Sequence, residues 1–367
     1  MSYIKFENIN KYYNNQHVLK DLDLTIDKGS FVTLLGPSGC GKSTLLRCLA
    51  GLESISTGKI FLDDEDITLK NPRQRNIGMI FQQYSLFPTM TVYQNISFGL
   101  RMKKLINDER IGSEPMHKGF MPIHENKCMG IKMKKERRET IDKLVKEALA
   151  LVQLEGSEKK FPSQLSGGEQ QRVALARCIV TKPKVLLLDE PFSAIDAKLR
   201  KSLQTRIKEI HRELNMTCVF VTHDQEEAMI MSDVIHLMHN GIIEQSGNPA
   251  QVYSNPKNPY VASFIGNYNI IDKKDLSRVF GYEVSSEKIA IRPEMIAIEK
   301  EEVVDVSEFI CAKGVIVDNI LQGNIIRYFV DINGLKVKVD LLFNNSELFE
   351  NNQEIYLKIN KNNIILF

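Results

Sequence analysis

Gly36, Gly41, Lys42 and Ser43 stand in "GPSGCGKST" at the spacing G-x-x-x-x-G-K-S. Glycines at those places let backbone N–H groups close around an anion. A lysine reaches its outer charges, and the adjoining hydroxyl suits a hard cation such as Mg²⁺. The stretch therefore reads as a polyphosphate cradle, filled out by Pro37, Ser38, Gly39, Cys40 and Thr44. Further on, "VLLLDE" ends an apolar run on Asp189 and Glu190. A carboxylate at the end of a buried strand can hold Mg²⁺ through water, and the next can polarise an attacking water. Alone, such a pair equally suits a solvated strand cap; beside a phosphate cradle the chemical reading prevails. His223 closes a similar run, "VFVTHD". A single histidine there is more often structural than functional. Gln82, in "GMIFQQYSLFP", signals little by itself, and Tyr13, in "KYYNNQHVL", is either a platform for a base or a plain strand aromatic.

"LSGGEQQR" is a second glycine stretch facing a helix start. Ser166 with Glu169 makes S-x-x-E, a capping box that opens many ordinary helices. It leaves Gly167 and Gly168 unexplained, because glycine in a helix costs roughly 1 kcal/mol against alanine. A bare backbone at a helix N-terminus is an anion site, so Ser166, Gly167, Gly168 and Gln170 join the candidates.

The elements that must carry these residues can be read from periodicity. "SYIKFENI", "LKDLDLTI" and "SFVTLLG" are strand-like, and the glycine loop runs into a helix, "KSTLLRCLAGL". "KVLLLDE" and "TCVFVTHD" are short apolar strands on either side of a helix whose Leu199, Leu203, Ile207, Ile210 and Leu214 share one face. Strand, helix, strand implies a parallel sheet with functional residues at the strands' carboxyl ends. From about Phe87 to Val180 helical patterns take over, clearest where Ile141, Leu144, Val145, Ala148, Leu149 and Val152 align in "ETIDKLVKEALALVQL". Asn240-Gly241 and Asn333-Gly334 each mark a hairpin turn. The last hundred or so residues are strand-rich and read as a small β-barrel-like module.

Composition sets wide bounds. With 43% hydrophobic and 26% charged residues the chain is globular rather than disordered, and 48 basic against 46 acidic residues give no reason to expect a nucleic-acid partner. The start, "MSYIKFENIN", does not resemble a signal peptide, and no apolar run approaches the roughly 18 residues of a membrane span. The cysteines form no C-x-x-C pair and suit a reducing compartment.

Taken in order, "GPSGCGKST", "FQQ", "LSGGEQQR", "VLLLDEP", "SAID" and "VTHD" resemble the ATPase subunit of an ATP-binding cassette (ABC) transporter, over about residues 1–250. The resemblance implies an α/β fold: a P-loop ABC ATPase core with an inserted helical subdomain, plus a C-terminal all-β oligomer-binding-like module. It implies two copies paired head to tail, the phosphate loop of one and "LSGGEQ" of the other enclosing ATP and Mg²⁺. In that scheme Tyr13 stacks on adenine, while Lys42, Ser43 and Thr44 contact phosphates and metal. Gln82 links metal and water to the helical subdomain, Asp189 holds the metal, Glu190 is the general base and His223 touches the γ-phosphate. Asp196, in "SAID", crosses the dimer seam.

"GNPAQVYSNPKNPYVASFIG" and "IAIRPEMIAI" are similar to importer ATPases carrying a regulatory module. "SLFPTMTVYQNISFGLRMK" most resembles the polyamine (spermidine/putrescine) and ferric-iron subgroup. The implied partners are a homodimeric second copy, two integral-membrane permease subunits and an extracellular solute-binding protein. The implied place is peripheral, on the cytoplasmic face of the membrane. Ferric-iron, phosphonate or sugar import are alternatives, as is a soluble ABC ATPase acting on DNA or ribosomes. Against the soluble class, the chain has neither two cassettes nor a long coiled coil. The expected domains are residues 1–245 for the ATPase, with a helical subdomain at about 87–180, then a linker at 246–270 and a β domain at 271–367. After "FGLRMKK" comes an expected insertion at about 105–135 that ends on the similar "MGIKMKK", with the following helix beginning near Glu136.

Overall fold

The computed structural model describes residues 2–81, 85–106, 127–192, 197–301, 307–343 and 348–367, with backbone alone at 103–106, 127–137 and 199. The chain divides into two compact units, Met1–Ile243 and Glu244–Phe367.

In the first unit β1 (Ser2–Tyr13) and β2 (Gln16–Asp27) form an antiparallel hairpin. The period-two burial of Leu22, Leu24 and Ile26 in β2 is that of a sheet with one face on the core. After β3 (Phe31–Leu35) and α1 (Lys42–Ala50), β4 (Thr57–Leu62) and β5 (Glu65–Asp66) complete a four-stranded sheet in the order β2-β1-β4-β5. Then follow β6 (Ile77–Ile80), α2 (Val92–Ile106), α3 (Lys127–Leu151), α4 (Gly167–Ile179), β7 (Val185–Asp189), α5 (Ala197–Leu214), β8 (Thr217–Thr222), α6 (Gln225–Met231), β9 (Val234–His239) and β10 (Ile242–Gly247). The second sheet runs β10-β9-β3-β8-β7-β6, and the neighbours from β9 to β6 are parallel.

That sheet is covered on both faces, which is why "VLLLD" and "TCVFVT" are buried at every position. Leu186, Leu188, Cys218 and Phe220 face a core shared with α2 to α5. Their alternates Val185, Leu187, Val219 and Val221 face α1 and the antiparallel sheet. Asn240 and Gly241 both have positive φ, 48° and 87°, in the turn joining β9 to β10. On the expected face of α3, Ile141, Val145, Ala148, Leu149 and Val152 are buried and Leu144 is partly covered; on that of α5, Leu203, Ile207 and Ile210 are buried and Leu214, in the last turn, is exposed. The long helix starts at Lys127 rather than near Glu136. Its added turns, "KCMGIKMKK", are mostly lysine and methionine, which are good helix formers. Residues 107–126, the middle of the expected insertion, lie outside the described residues.

The second unit begins with α7 (Pro249–Ser254) and α8 (Pro259–Ile265), then β11 (Asn269–Asp272), α9 (Lys273–Phe280), β12 (Lys288–Ile291), β13 (Ile296–Glu299), β14 (Phe309–Gln322), β15 (Ile325–Ile332), β16 (Leu335–Leu342), β17 (Glu354–Asn360) and β18 (Ile365–Leu366). They build sheets β11-β12-β18 and β13-β17-β14-β15-β16, antiparallel throughout. Edge strands β13 and β16 approach one another, so the larger sheet curls around one core that includes Tyr328, Val330 and Leu357. Asn333 and Gly334 turn β15 into β16 with φ of 52° and 88°. The β module thus also holds one short helix, α9.

Candidate functional site

Strand register brings the chemistry to one edge. Leu35 pairs with Thr222, and Asp189 with Val221, so β3, β8 and β7 end side by side. The loop Gly36–Gly41 leaves the first end, His223 follows the second, and Glu190 follows the third.

The loop needs its glycines for definite reasons. A Cβ on Gly36 would lie 2.2 Å from the Met238 carbonyl oxygen. Gly41 has φ 106° and sits under Leu19, with 2.9 Å between its virtual Cβ and Leu19 Cδ2. As N-cap of α1, Gly41 offers no side chain to the helix start, and the first turn holds no acidic residue. Backbone N–H groups at this end therefore face the loop's interior as an anion site. Lys42 is buried, its Nζ donating to Gly36 O at 2.7 Å and Pro37 O at 2.8 Å. Cys40 lies 3.8 Å from the same ammonium; burial raises its thiol, and the lysine only partly opposes that.

Ser43 Oγ donates to Asp189 Oδ1 at 2.8 Å, so two of the three expected metal ligands meet, the third being Gln82. A hydroxyl and a carboxylate are hard oxygen donors, and Mg²⁺ is held by few protein ligands plus water and phosphate. Among the described residues no group of three His, Cys, Asp or Glu side chains could hold a metal by itself. The donor set fits an ion shared with a nucleotide.

Glu190 and His223 are neighbours, Oε1 to Nδ1, at 3.5 Å. Glu190 adopts φ 45°, a conformation that costs a non-glycine residue about 1 kcal/mol or more. Its N–H donates to Val221 O at 3.1 Å, which fixes the turn. The turn bearing His223 is set by Thr222 Oγ1, donating to Glu227 Oε2 at 2.6 Å and accepting from Asp224 N at 3.0 Å. Arg200 adds ion pairs to Asp224 and Glu227 at 3.6 and 3.8 Å. Burial pushes the Glu227 carboxyl up, while the Thr222 hydrogen bond pulls the other way.

The second glycine stretch lies on α4, which packs on α2, α3 and β6. Its capping box forms as expected: Glu169 Oε2 accepts from Ser166 N at 2.8 Å, and Ser166 Oγ accepts from Glu169 N. The Ser166 N–H, and next the Ser166 hydroxyl donating to the same Oε2 at 2.9 Å, hold the Glu169 carboxyl below its usual range. Gly167 is exposed, and a Cβ there would meet nothing within 4 Å. Among the described residues nothing demands glycine at that position. The Gln170 amide is turned inward, donating to Pro162 O and Leu165 O, where it braces the loop before the helix. Tyr13 is exposed at the end of β1, with Lys11 Nζ over its ring. Gln82 and Asp196 lie outside the described residues.

Sequence reasoning passed over Arg75. It is buried, donating to Cys48 O and Leu49 O at the end of α1 and to Lys70 O and Thr68 O beyond it. A cation on the last carbonyls of the phosphate-loop helix both caps it and opposes its dipole. "NPRQRN" carries no periodicity that would have revealed this.

Residues 19–193 match the family model described as ABC transporter. The chain is 39% identical to the spermidine/putrescine import ATP-binding protein PotA of Haemophilus ducreyi, over 94% of this chain and 90% of that protein. Identity to the same-named protein of Haemophilus influenzae is 42%, with the same coverage of 94% and 90%. Among solved structures, the dimeric post-hydrolysis state of the ATP-binding cassette MJ0796 bound to ADP and Pi aligns with a TM-score of 0.52 and 30% identity, over 67% of this chain and 98% of that one. The cbiO1 protein of Clostridium perfringens, part of the ABC transporter complex cbiONQ, aligns with a TM-score of 0.56 and 30% identity, over 69% and 91%.

Proposed function

The chain belongs to the family of ABC transporter ATP-binding subunits, and on that premise we propose that it hydrolyses ATP to drive import of a polyamine of the spermidine/putrescine type. One observation carries the ATPase reading. Ser43, Asp189, Glu190 and His223 converge beside the anion-binding end of α1. The polyamine reading rests on relatives whose likeness extends through the second unit, since 94% of the chain is covered.

In this reading the phosphates of ATP lie against Gly36–Thr44, with Lys42 opposing their charge. Ser43 and Asp189 hold Mg²⁺, which when bound neutralises phosphate oxygens and orients them. Glu190 accepts a proton from a water as its oxygen bonds to the γ-phosphorus and the bond to the ADP oxygen breaks. His223 contacts the γ-phosphate, and Gln82 links the site to the helical subdomain. Ser166 and Gly167, both exposed, face the ATP of a second copy, with Asp196 at the seam, while buried Gly168 and the inward-turned Gln170 support the loop that presents them. The exposed Gly167, a glycine that none of the described residues around it requires, supports that pairing. The subunit works peripherally at the cytoplasmic face with two permease subunits and an extracellular solute-binding protein. Among the described residues, no helix is long and apolar enough to cross a membrane.

Glu190→Gln keeps the side chain's shape and removes the base. The expected result is ATP binding at wild-type affinity, loss of steady hydrolysis and accumulation of an ATP-held dimer by size-exclusion chromatography. Hydrolysis near the wild-type rate with Mg²⁺ present would falsify the assignment.

A further inference from the structure

Lys11 is an unusual lysine, only 6% exposed on β1, two residues before the exposed Tyr13. Its Nζ donates to Ser54 O at 2.6 Å and to Glu53 Oε2 at 3.3 Å. The same ammonium lies 4.7 Å from the centroid of the Tyr13 ring, over its face. Glu53 and Ser54 lie two and three residues after the C-cap of α1, Gly51, whose N–H closes on Arg47 and Cys48 carbonyls. The Tyr13 phenol is raised chiefly by burial and next by the Glu53 carboxylate beside it. One buried cation therefore ties the end of β1 to the end of the phosphate-loop helix and occupies one face of the ring.

We propose that Lys11, seated by Glu53, is the positioning residue of the nucleotide-base platform, holding Tyr13 so that its other face receives the purine. The proposal rests on the ATPase reading above and adds residues which that reading does not use. A lysine held by a carboxylate and a carbonyl has little freedom, so the ring over it loses little entropy when a base stacks. The cation also draws on the ring's negative face. Phosphate recognition lies at the opposite end of α1 and is untouched by this contact. The arrangement therefore affects the base and not the triphosphate.

The test compares the full chain with Lys11→Met, Lys11→Arg and Glu53→Gln by calorimetric titration of ATP and of inorganic tripolyphosphate. Lys11→Met is expected to weaken ATP about threefold to tenfold, the range of one cation–π contact, while tripolyphosphate affinity stays at the wild-type value. Lys11→Arg restores ATP affinity, and Glu53→Gln falls between. In a Tyr13→Ala background the Lys11→Met effect on ATP disappears, because the two residues act as one unit. Equal losses for ATP and tripolyphosphate, or an undiminished effect without Tyr13, would overturn the proposal. If Lys11→Met does not fold, Glu53→Gln decides alone: an unchanged ratio of the two affinities refutes it. A wild-type chain that binds neither ligand would instead refute the ATPase reading itself.

Discussion

Ser43 Oγ donates a hydrogen bond of 2.8 Å to Asp189 Oδ1, joining residues 146 positions apart in the chain. The contact exists because β3 and β7 flank β8 in register, so the helix after one strand starts beside the carboxyl end of the other. In this bond each group satisfies the other's polar demand. Asp189 is buried and would otherwise be costly there.

Removing either partner should therefore act mainly through the metal. Ser43→Ala and Asp189→Asn are each expected to lower Mg²⁺-dependent hydrolysis at least tenfold. ATP binding measured in EDTA should change less than threefold. Titration of Mg²⁺ against activity checks this. An unchanged Mg²⁺ requirement in both variants would show that the pair does not hold the ion.

Gly167 and Lys42 should separate pairing from binding. Lys42→Ala removes a charge-assisted contact worth roughly 1.5–3 kcal/mol, about tenfold or more in ATP affinity. Gly167→Asp meets open space in its own chain and places an acidic residue in the first turn of α4, where the helix dipole favours it. Its melting temperature should be no lower than wild type and its monomer should bind ATP normally, yet it should not dimerise. A Gly167→Asp monomer as weak for ATP as Lys42→Ala would contradict the two-copy site.

Much of this arrangement was legible in the residues. The anion loop, the paired carboxylates and the capping box announce themselves by spacing, and continuous apolar runs mark β7 and β8 as covered on both faces. Arg75 and Lys11 were not legible, because their roles depend on tertiary neighbours: carbonyls at the end of α1 for one, the ring of Tyr13 for the other. The positive φ of Glu190 is likewise a product of the strand end and not of its own preference. The α3 start was misplaced because a charged, methionine-rich stretch without an apolar face is helical by propensity alone.

Stability should also depend on pH through His236, a residue apart from the site. Burial pushes its imidazole down to about 4, from an ordinary value of 6.5. As pH falls through about 6.5 the unfolded chain takes up a proton that the folded chain refuses until about 4. The contribution of His236 is thus full above pH 6.5, declines between 6.5 and 4, and then stays level. The loss is on the order of 3 kcal/mol at most. Urea unfolding at pH 7, 5.5 and 4.5 should show a shallower decline in His236→Gln than in wild type. Parallel slopes would mean the imidazole is not the group responsible.

ATP hydrolysis by this subunit should power uptake of a polyamine. The most direct test is uptake of labelled spermidine into cells lacking their own polyamine importers and expressing the chain with its permeases and binding protein. Wild type should accumulate spermidine, and the Glu190→Gln complex, assembled to the same level, should not. Wild-type hydrolysis that neither drives spermidine or putrescine uptake nor responds to either would mean that the subunit does not serve polyamine import.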